Sequence, residues 1–372
     1  MKIALVIHGL GPGGAERTLT TLANAWVARG DSVTLLSFDD GTAPPAFALD
    51  PAIDHRPLSL AGLSRNFGQA IFANGARIRR LRTALAQANP DVVISFITAT
   101  NILAILATRG FRVPLIVSER VDTKAHRLPG VWSALRKILY RYTDAVVVQG
   151  EQIVESLPAA IRPLAHVIPN PVTRPIDSLD AAASFDAVSN ADRMRIVGLG
   201  RLVPQKGFDL LIRAFAATAQ HFPDWDLVIW GEGPERAALG ALIEELGLSG
   251  RVKLPGVTAA PAAALASADI FILSSRYEGF PNALAEAMAC GVAVIATDCP
   301  SGPSDMIRDN VDGLLVAPED SQALADAIGR LASDASLGAA LGKRAAEITS
   351  RYSVDDIIGR WNELIVKVGS PQ

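Results

Sequence analysis

The chain opens twice in the same way. Lys2-Ile3-Ala4-Leu5-Val6-Ile7, an apolar run behind one cation, leads into a glycine-rich stretch from Gly9 to Gly14 and then a segment apolar at Leu19, Leu22, Ala23 and Trp26. From residue 193 the pattern begins again, with Arg193 to Val197, then Gly198 and Gly200, a loop from Arg201 to Gly207, and a segment apolar at Leu210, Leu211 and Phe215. Strand, glycine turn and amphipathic helix are the start of a doubly wound α/β domain. A chain that starts such a unit twice is expected to hold two of them, and 372 residues exceed what one core usually serves.

Further apolar runs alternate with helical patterns: Ser32–Ser37, Val92–Phe96, Leu115–Val117, Ala145–Val148, Leu227–Trp230, Ile270–Leu273 and Val292–Ala296. Continuous Val/Ile/Leu runs spaced by helices predict parallel sheets covered on both faces. The composition shifts to Pro, Asp, Ala and Ser over 171–192, which places an N-terminal domain at 1–172, a linker at 173–192 and a C-terminal domain at 193–352. A last helix is predicted over Ser353–Val368, opened by Ser353 and Asp356 as a capping box and striped by Ile357, Trp361, Leu364, Ile365 and Val368.

With 49% apolar and 20% charged residues, the chain is a globular one and not a disordered one. The run Val92 to Thr108 carries Thr98, Thr100 and Asn101 and reads as a strand and a helix, not a membrane span. The apolar stretch Ile3 to Ile7 is too short for a signal-peptide core, so a cytoplasmic, reducing setting is expected, with Cys290 and Cys299 as free thiols. Arg56 to Arg141 holds fourteen Lys and Arg against Asp91, Glu119 and Asp122, a local charge of +11 in a chain whose net is −3. Such a field suits nucleic acid, an anionic leaflet or a diphosphate-bearing substrate.

Three loops can carry chemistry. Gly9-Leu10-Gly11-Pro12-Gly13-Gly14 matches G-x-G-x-x-G, and Asp39 and Asp40 follow the next strand, as a dinucleotide site would need. Pro12, however, removes an amide from that loop, and Gly13 and Gly14 could equally approach a single phosphate. In the second loop Arg201 and Lys206 set two cations five residues apart, a pairing suited to a diphosphate. The third runs Glu278-Gly279-Phe280-Pro281-Asn282-Ala283-Leu284 and on to Glu286 and Gly291. Pro281 suits a first helical position, Gly291 a helix end, and the free amides from Asn282 to Leu284 a phosphate. Asp224-Trp225-Asp226 resembles a metal-binding D-x-D but precedes a strand and reads as a surface turn. His8, His55, His166 and His221 share no ligand spacing, so no metal site is expected; His8 alone stands beside the glycine loop.

The ordered set of motifs resembles the retaining glycosyltransferase family four, whose members share the two-domain GT-B fold. The resemblance rests on Gly11-Pro12-Gly13-Gly14-Ala15-Glu16-Arg17, Ile168-Pro169-Asn170-Pro171, Gly200-Arg201 with Gln205-Lys206-Gly207, Gly231-Glu232-Gly233-Pro234, Glu278 with Glu286, and Thr297 to Pro303. It implies two Rossmann-like domains facing across a cleft, with the last helix crossing back to the N-terminal domain. It also implies that Arg201 and Lys206 hold the donor diphosphate, that Gly14 approaches it, that Glu286 meets the ribose, and that Glu278 and neighbouring amides meet the sugar. The family's histidine is replaced here by Ser118-Glu119-Arg120, as in a branch acting on lipid-linked sugars, and His126 comes too late to align. Glu119 and Arg120 are therefore candidates for the active site or for a structural ion pair.

The expected function is transfer of a hexose-type sugar from a nucleotide diphosphate, UDP by resemblance, to a saccharide or polyprenyl-diphosphate-linked acceptor. No further cofactor, no metal and no nucleic acid are expected. The basic segment is expected to hold the chain on an anionic membrane face, through Arg77, Arg79, Arg80 and Arg82 beside Ile71, Ile78, Leu81 and Leu85, and Arg136, Lys137 and Arg141 beside Trp132, Leu135 and Leu139. Two rivals remain: an NAD-dependent oxidoreductase using the first glycine loop, and a GT-B epimerase or hydrolase of nucleotide sugars.

Overall fold

The structure, a computed structural model, describes residues 1–60, 67–120, 130–173 and 193–370, without the side chains of 67–73. Most of the expected linker, His126, Asp122 and the side chain of Ile71 lie outside the described residues. The chain divides into two compact units, Met1–Pro171 with Val354–Gln372, and Val172–Ser353.

The first unit runs β1 (Lys2–Ile7), α1 (Gly14–Ala28), β2 (Ser32–Ser37), β3 (Asp54–Pro57), α2 (Phe67–Ala88), β4 (Val92–Phe96), α3 (Thr98–Thr108), β5 (Leu115–Ser118), α4 (Gly130–Leu139), β6 (Ala145–Val148), α5 (Glu151–Ser156) and β7 (Ala165–Val167). The second runs β8 (Met194–Leu199), α6 (Phe208–Ala219), β9 (Trp225–Trp230), α7 (Arg236–Glu245), β10 (Val252–Gly256), α8 (Pro261–Ala266), β11 (Ile270–Leu273), α9 (Asn282–Ala289), β12 (Ala293–Thr297), α10 (Pro303–Met306), β13 (Leu314–Val316), α11 (Ser321–Ser333), α12 (Ala335–Ala345) and α13 (Ile348–Arg351). A last helix, α14 (Val354–Gly369), belongs to the first unit.

Both sheets are parallel throughout. Their orders are β3-β2-β1-β4-β5-β6-β7 and β10-β9-β8-β11-β12-β13. In each, the first strand lies inside the sheet, and later connections turn to its other side. The places where the direction reverses, between β1 and β4 and between β8 and β11, are topological switch points, where loops diverge and leave room for a ligand. Central strands are buried on both faces, as Ile3 to Ile7 and Val92 to Phe96 show, which is why they are continuous apolar runs.

The apolar stripe of α14 is used within the first unit. Trp361 is buried edge-on to Trp26 of α1, with ring centroids 6.2 Å apart, and Trp26 Nε1 donates to Asn362 Oδ1 at 2.9 Å. Trp361 also stacks on Phe96 at the end of β4, at 6.3 Å and 23°.

Three expectations are corrected here. Leu81 and Leu85 of α2 are fully buried in the first unit's core, and Ile78, Trp132, Leu135 and Leu139 pack against it. Those stripes face inward and cannot be a membrane face. Three of the arginines between them are tied to backbone carbonyls: Arg77 to Leu60, Arg80 to Leu58, and Arg82 to Ala107 and Arg109. Arg136, expected on a basic rim, is buried. Asp226, finally, is not in a surface turn but buried within β9, where Arg193 at 2.9 Å and Arg251 at 3.1 Å neutralise it.

Candidate active site

In the second unit the loops after β8 and β11, on either side of the switch point, are fastened to each other. Arg276 N donates to Gln205 O at 2.8 Å, Gln205 Nε2 to Tyr277 O at 2.9 Å, and Ser274 Oγ to Lys206 O at 2.9 Å. Such contact needs a residue without a side chain at Gly207, where φ is +59° and a Cβ would collide with the Ser274 carbonyl. Arg276 adds a two-pronged pair with Asp209 in the first turn of α6, at 2.9 and 2.8 Å, and that pairing holds the Asp209 carboxyl below its usual range. The sequence reading passed over Asp209 and Arg276, because an ion pair between residues 67 apart has no local signal.

Lys206 and Glu278 meet inside this fastening. Lys206 Nζ donates to Glu278 Oε1 at 2.7 Å, and Ser275 Oγ donates to the same oxygen at 2.6 Å. Both side chains are largely buried, so each charge depends on the other. Cys299 lies close enough that the Glu278 charge, after burial, helps push its thiol up to about 12, which keeps it an inert thiol. Arg201 differs from Lys206. It is exposed, and among the described residues no hydrogen bond or ion pair engages its guanidinium. An unpaired cation and a paired one therefore share the mouth of the switch point.

The helix α9 begins at Asn282 with Pro281 as the residue before it, one position later than expected, and no side chain caps it. The Asn282 amide is spent on the Phe280 carbonyl at 2.9 Å, which leaves Ala283 and Leu284 as the first-turn amides without an intrahelical acceptor. Gly279 and Phe280 lie in the loop before it, with Phe280 edge-on to Tyr352 at 6.1 Å. The loop after β12 closes over this turn, since Glu278 N donates to Pro300 O at 3.2 Å. Glu286 is buried on the second turn of α9.

The first unit fills the same topological position differently. Gly13 precedes α1, which starts at Gly14, and the carboxylate of Glu16 lies directly against the Gly13 α-carbon. Gly13 N is already donated to Gly11 O at 2.9 Å, and Asp39 accepts from Leu10 N at 3.2 Å and from Ser37 Oγ at 2.9 Å. The dinucleotide reading thereby loses its two supports, because an acid occupies the pyrophosphate position and the ribose-binding carboxylate braces the loop. His8 is exposed and edge-on to Phe38.

Across that switch point, Ile97 joins β4 to α3 with φ +76°. A β-branched residue pays about 1–3 kcal/mol for that conformation, and such strain is kept where the surroundings over-determine it. Glu119, one residue past β5, is fully buried and accepts from Thr98 Oγ1 at 2.6 Å and Tyr140 OH at 2.9 Å. Burial raises its proton affinity above the ordinary carboxylate range, against those bonds and the Arg136 charge. With both oxygens engaged inside the unit, Glu119 ties α3 to the turn after α4 and does not stand at the surface. Arg120 follows it, its guanidinium 4.8 Å over the Phe96 ring and 3.3 Å from Ser118 Oγ. Burial lowers its proton affinity to about 9, so it remains a cation at neutral pH. The anticipated Glu119–Arg120 ion pair is not among the salt bridges of the described residues.

Two parallel doubly wound sheets, with a cation-bearing glycine loop and an uncapped helix at the second switch point, have the architecture of the GT-B fold. Residues 13–171 match the Glycosyl transferase 4-like domain and residues 181–348 match the Glycosyl transferases group 1 family. The chain belongs to the group 1 glycosyltransferases. It is 29% identical, over 99% of both chains, to a Campylobacter jejuni enzyme named GalNAc-alpha-(1->4)-GalNAc-alpha-(1->3)-diNAcBac-PP-undecaprenol alpha-1,4-N-acetyl-D-galactosaminyltransferase. To the amylovoran biosynthesis glycosyltransferase AmsD of Erwinia amylovora it is 26% identical over 98% of this chain and 99% of that one. Among solved structures, sucrose-phosphate synthase from Thermosynechococcus elongatus superposes with a TM-score of 0.84 at 21% identity over 99% of each chain. Anabaena HepE in complex with UDP gives 0.78 at 22% identity over 99% of this chain and 100% of that one.

Proposed function

We propose that this glycosyltransferase moves a hexose-type sugar from a uridine diphosphate carrier to a saccharide or lipid-linked saccharide in cell-surface glycan biosynthesis, with retention of configuration. The observation that carries the reading is the gathering of Arg201, Lys206 and the open first turn of α9 around one switch point. The unpaired Arg201 and the open first turn of α9, beside a Lys206 whose charge Glu278 offsets, suit a leaving diphosphate, whose charge grows as the sugar departs. Glu278, fixed by Lys206 and Ser275, is assigned to the sugar hydroxyls, and Glu286 to the ribose. The bond from the anomeric carbon to the diphosphate breaks, a bond to the acceptor oxygen forms on the same face, and the acceptor's proton passes to the departing phosphate oxygen. No metal enters this scheme, so turnover should persist in EDTA. The Campylobacter relative's name, with its undecaprenol diphosphate, supports a lipid-linked acceptor, and the Anabaena structure supports UDP.

Thermal unfolding with UDP tests the donor site, because a ligand at 100 times its dissociation constant adds about 2.7 kcal/mol. Arg201→Ala should lower turnover at subsaturating donor by about 10- to 100-fold with the melting temperature unchanged, since an exposed guanidinium lost there removes one charge-assisted contact. No stabilisation by UDP, or turnover within twofold of wild type, would remove the assignment.

Among the described residues no helix is long and apolar enough to cross a membrane. Peripheral attachment is carried instead by α4 and the turn after it, where Val131, Ile138 and Tyr142 are 60%, 50% and 47% exposed beside Lys137 and Arg141. Apolar groups with a basic fringe suit an anionic leaflet. Co-sedimentation with vesicles rich in anionic lipid at low salt should exceed that with neutral vesicles and fall for Ile138→Asp; equal, negligible binding to both would end this reading.

A further inference from the structure

The carboxyl ends of β5 and β6 hold side chains that the first unit's own fold leaves unsatisfied. In the register of these strands Ser118 lies opposite Val147, and Glu119 N donates to Val147 O at 2.9 Å. Two residues beyond that pair come Arg120 and Gln149, each just past the carboxyl end of its strand. Gln149 is only 4% exposed, yet among the described residues neither its Nε2 nor its Oε1 has a hydrogen-bond partner. Nη2 of Arg120 is likewise buried without one. A buried amide with both ends open is costly, and folds that keep one have something outside the chain to satisfy it.

The surroundings hold these groups at a set place. Phe96 lies under the Arg120 guanidinium and is itself backed by Trp361, so the last helix of the chain buttresses a cation at the end of β5. Ile97, in its strained conformation, donates its amide to Ser118 O at 3.2 Å and fixes the end of β4 against β5. Gln149 stands between β6 and α5, directly before Gly150, the residue that precedes the helix.

We propose that Arg120 and Gln149 form the subsite that grips the acceptor sugar. An amide side chain offers a donor and an acceptor side by side, which matches a vicinal pair of hydroxyls or the N–H and C=O of an acetamido group. Arg120 supplies a further donor through Nη2. Both groups belong to the first unit, whereas the diphosphate is assigned to loops of the second, so the pair is assigned to the choice of acceptor and not of nucleotide. The proposal rests on the glycosyltransferase reading of this chain but is tested apart from its donor site.

The experiment measures binding of octyl glycosides of glucose, galactose, N-acetylglucosamine and N-acetylgalactosamine to the full chain by saturation-transfer NMR, with and without UDP. Wild type should bind at least one glycoside saturably, and the neutral and acetamido arms tell a diol from an amide as the group recognised. Gln149→Leu should weaken that glycoside by about tenfold or more, as the loss of a paired hydrogen bond requires, while the UDP dissociation constant stays within twofold. The same variant should melt no lower than wild type without ligand, because it removes an unsatisfied buried amide. Arg120→Lys should weaken the glycoside less than Gln149→Leu. The proposal is overturned if no glycoside binds wild type, if Gln149→Leu binds within twofold of it, or if that variant loses stability and UDP binding together. Failure of UDP to bind wild type while a glycoside still binds would instead defeat the donor assignment and leave this subsite standing.

Discussion

The two switch points occupy the same place in the same strand order and are built in opposite ways. At β8 and β11 the polar groups are local and charged: two adjacent loops, an ion pair within them, and an exposed arginine. At β1 and β4 they are drawn from the whole unit and are mostly internal: a buried glutamate, a strained isoleucine, and an arginine propped through Phe96 by a tryptophan from the chain's last helix. Topology thus sets where a site lies, and the loops decide what it can hold. A charged mouth suits one demanding anion, while an interior hydrogen-bonded network with a few open groups suits an uncharged, hydroxyl-rich partner.

That contrast breaks most sharply at Trp361. Because the buried indole packs on both Trp26 and Phe96, Trp361→Ala should cost about 3–5 kcal/mol by chemical denaturation. If the second unit's site is locally built, UDP stabilisation should survive in that variant at temperatures where it remains folded. Parallel loss of UDP binding would show that the two sites are not separately built. A smaller effect distinguishes the two glycine loops. Gly207→Ala must move the Ser274 carbonyl and adopt a left-handed backbone, for an expected cost of about 1–3 kcal/mol together with weaker UDP binding. Gly11→Ala meets no atom within 4 Å and should change stability by less than about 0.5 kcal/mol. Equal effects from the two substitutions would erase the difference between the loops.

Legibility in the sequence followed burial. Ser32–Ser37, Val92–Phe96, Ala145–Val148 and Ile270–Leu273 were read to the residue, and all are strands with neighbours on both sides. The strands that went unread, β3, β7, β10 and β13, are the four sheet edges. Sequences such as Asp54-His55-Arg56-Pro57 and Ala165-His166-Val167 face water on one side and so carry no continuous apolar run. The residues proposed for the donor site stood out as well, because Arg201, Lys206, Glu278 and Glu286 sit in short motifs tied to glycine and proline turns. Gln149 was not, since a single glutamine after Val146-Val147-Val148 has no pattern of its own.

By itself, then, the sequence determined the two parallel α/β units and the glycine turns after their first strands, because each of these follows from local chain chemistry and the period of burial. Which polar side chains are free and which are spent was decided only by the tertiary structure. Arg77, Arg80 and Arg82 look like a basic face until their guanidiniums are found on backbone carbonyls. Asp226 reads as part of a surface turn until it is found buried in β9 between Arg193 and Arg251. Charge and hydrogen-bonding capacity are properties of a residue type, but whether they are satisfied depends on partners tens of residues away, and only the packed chain brings those partners within reach.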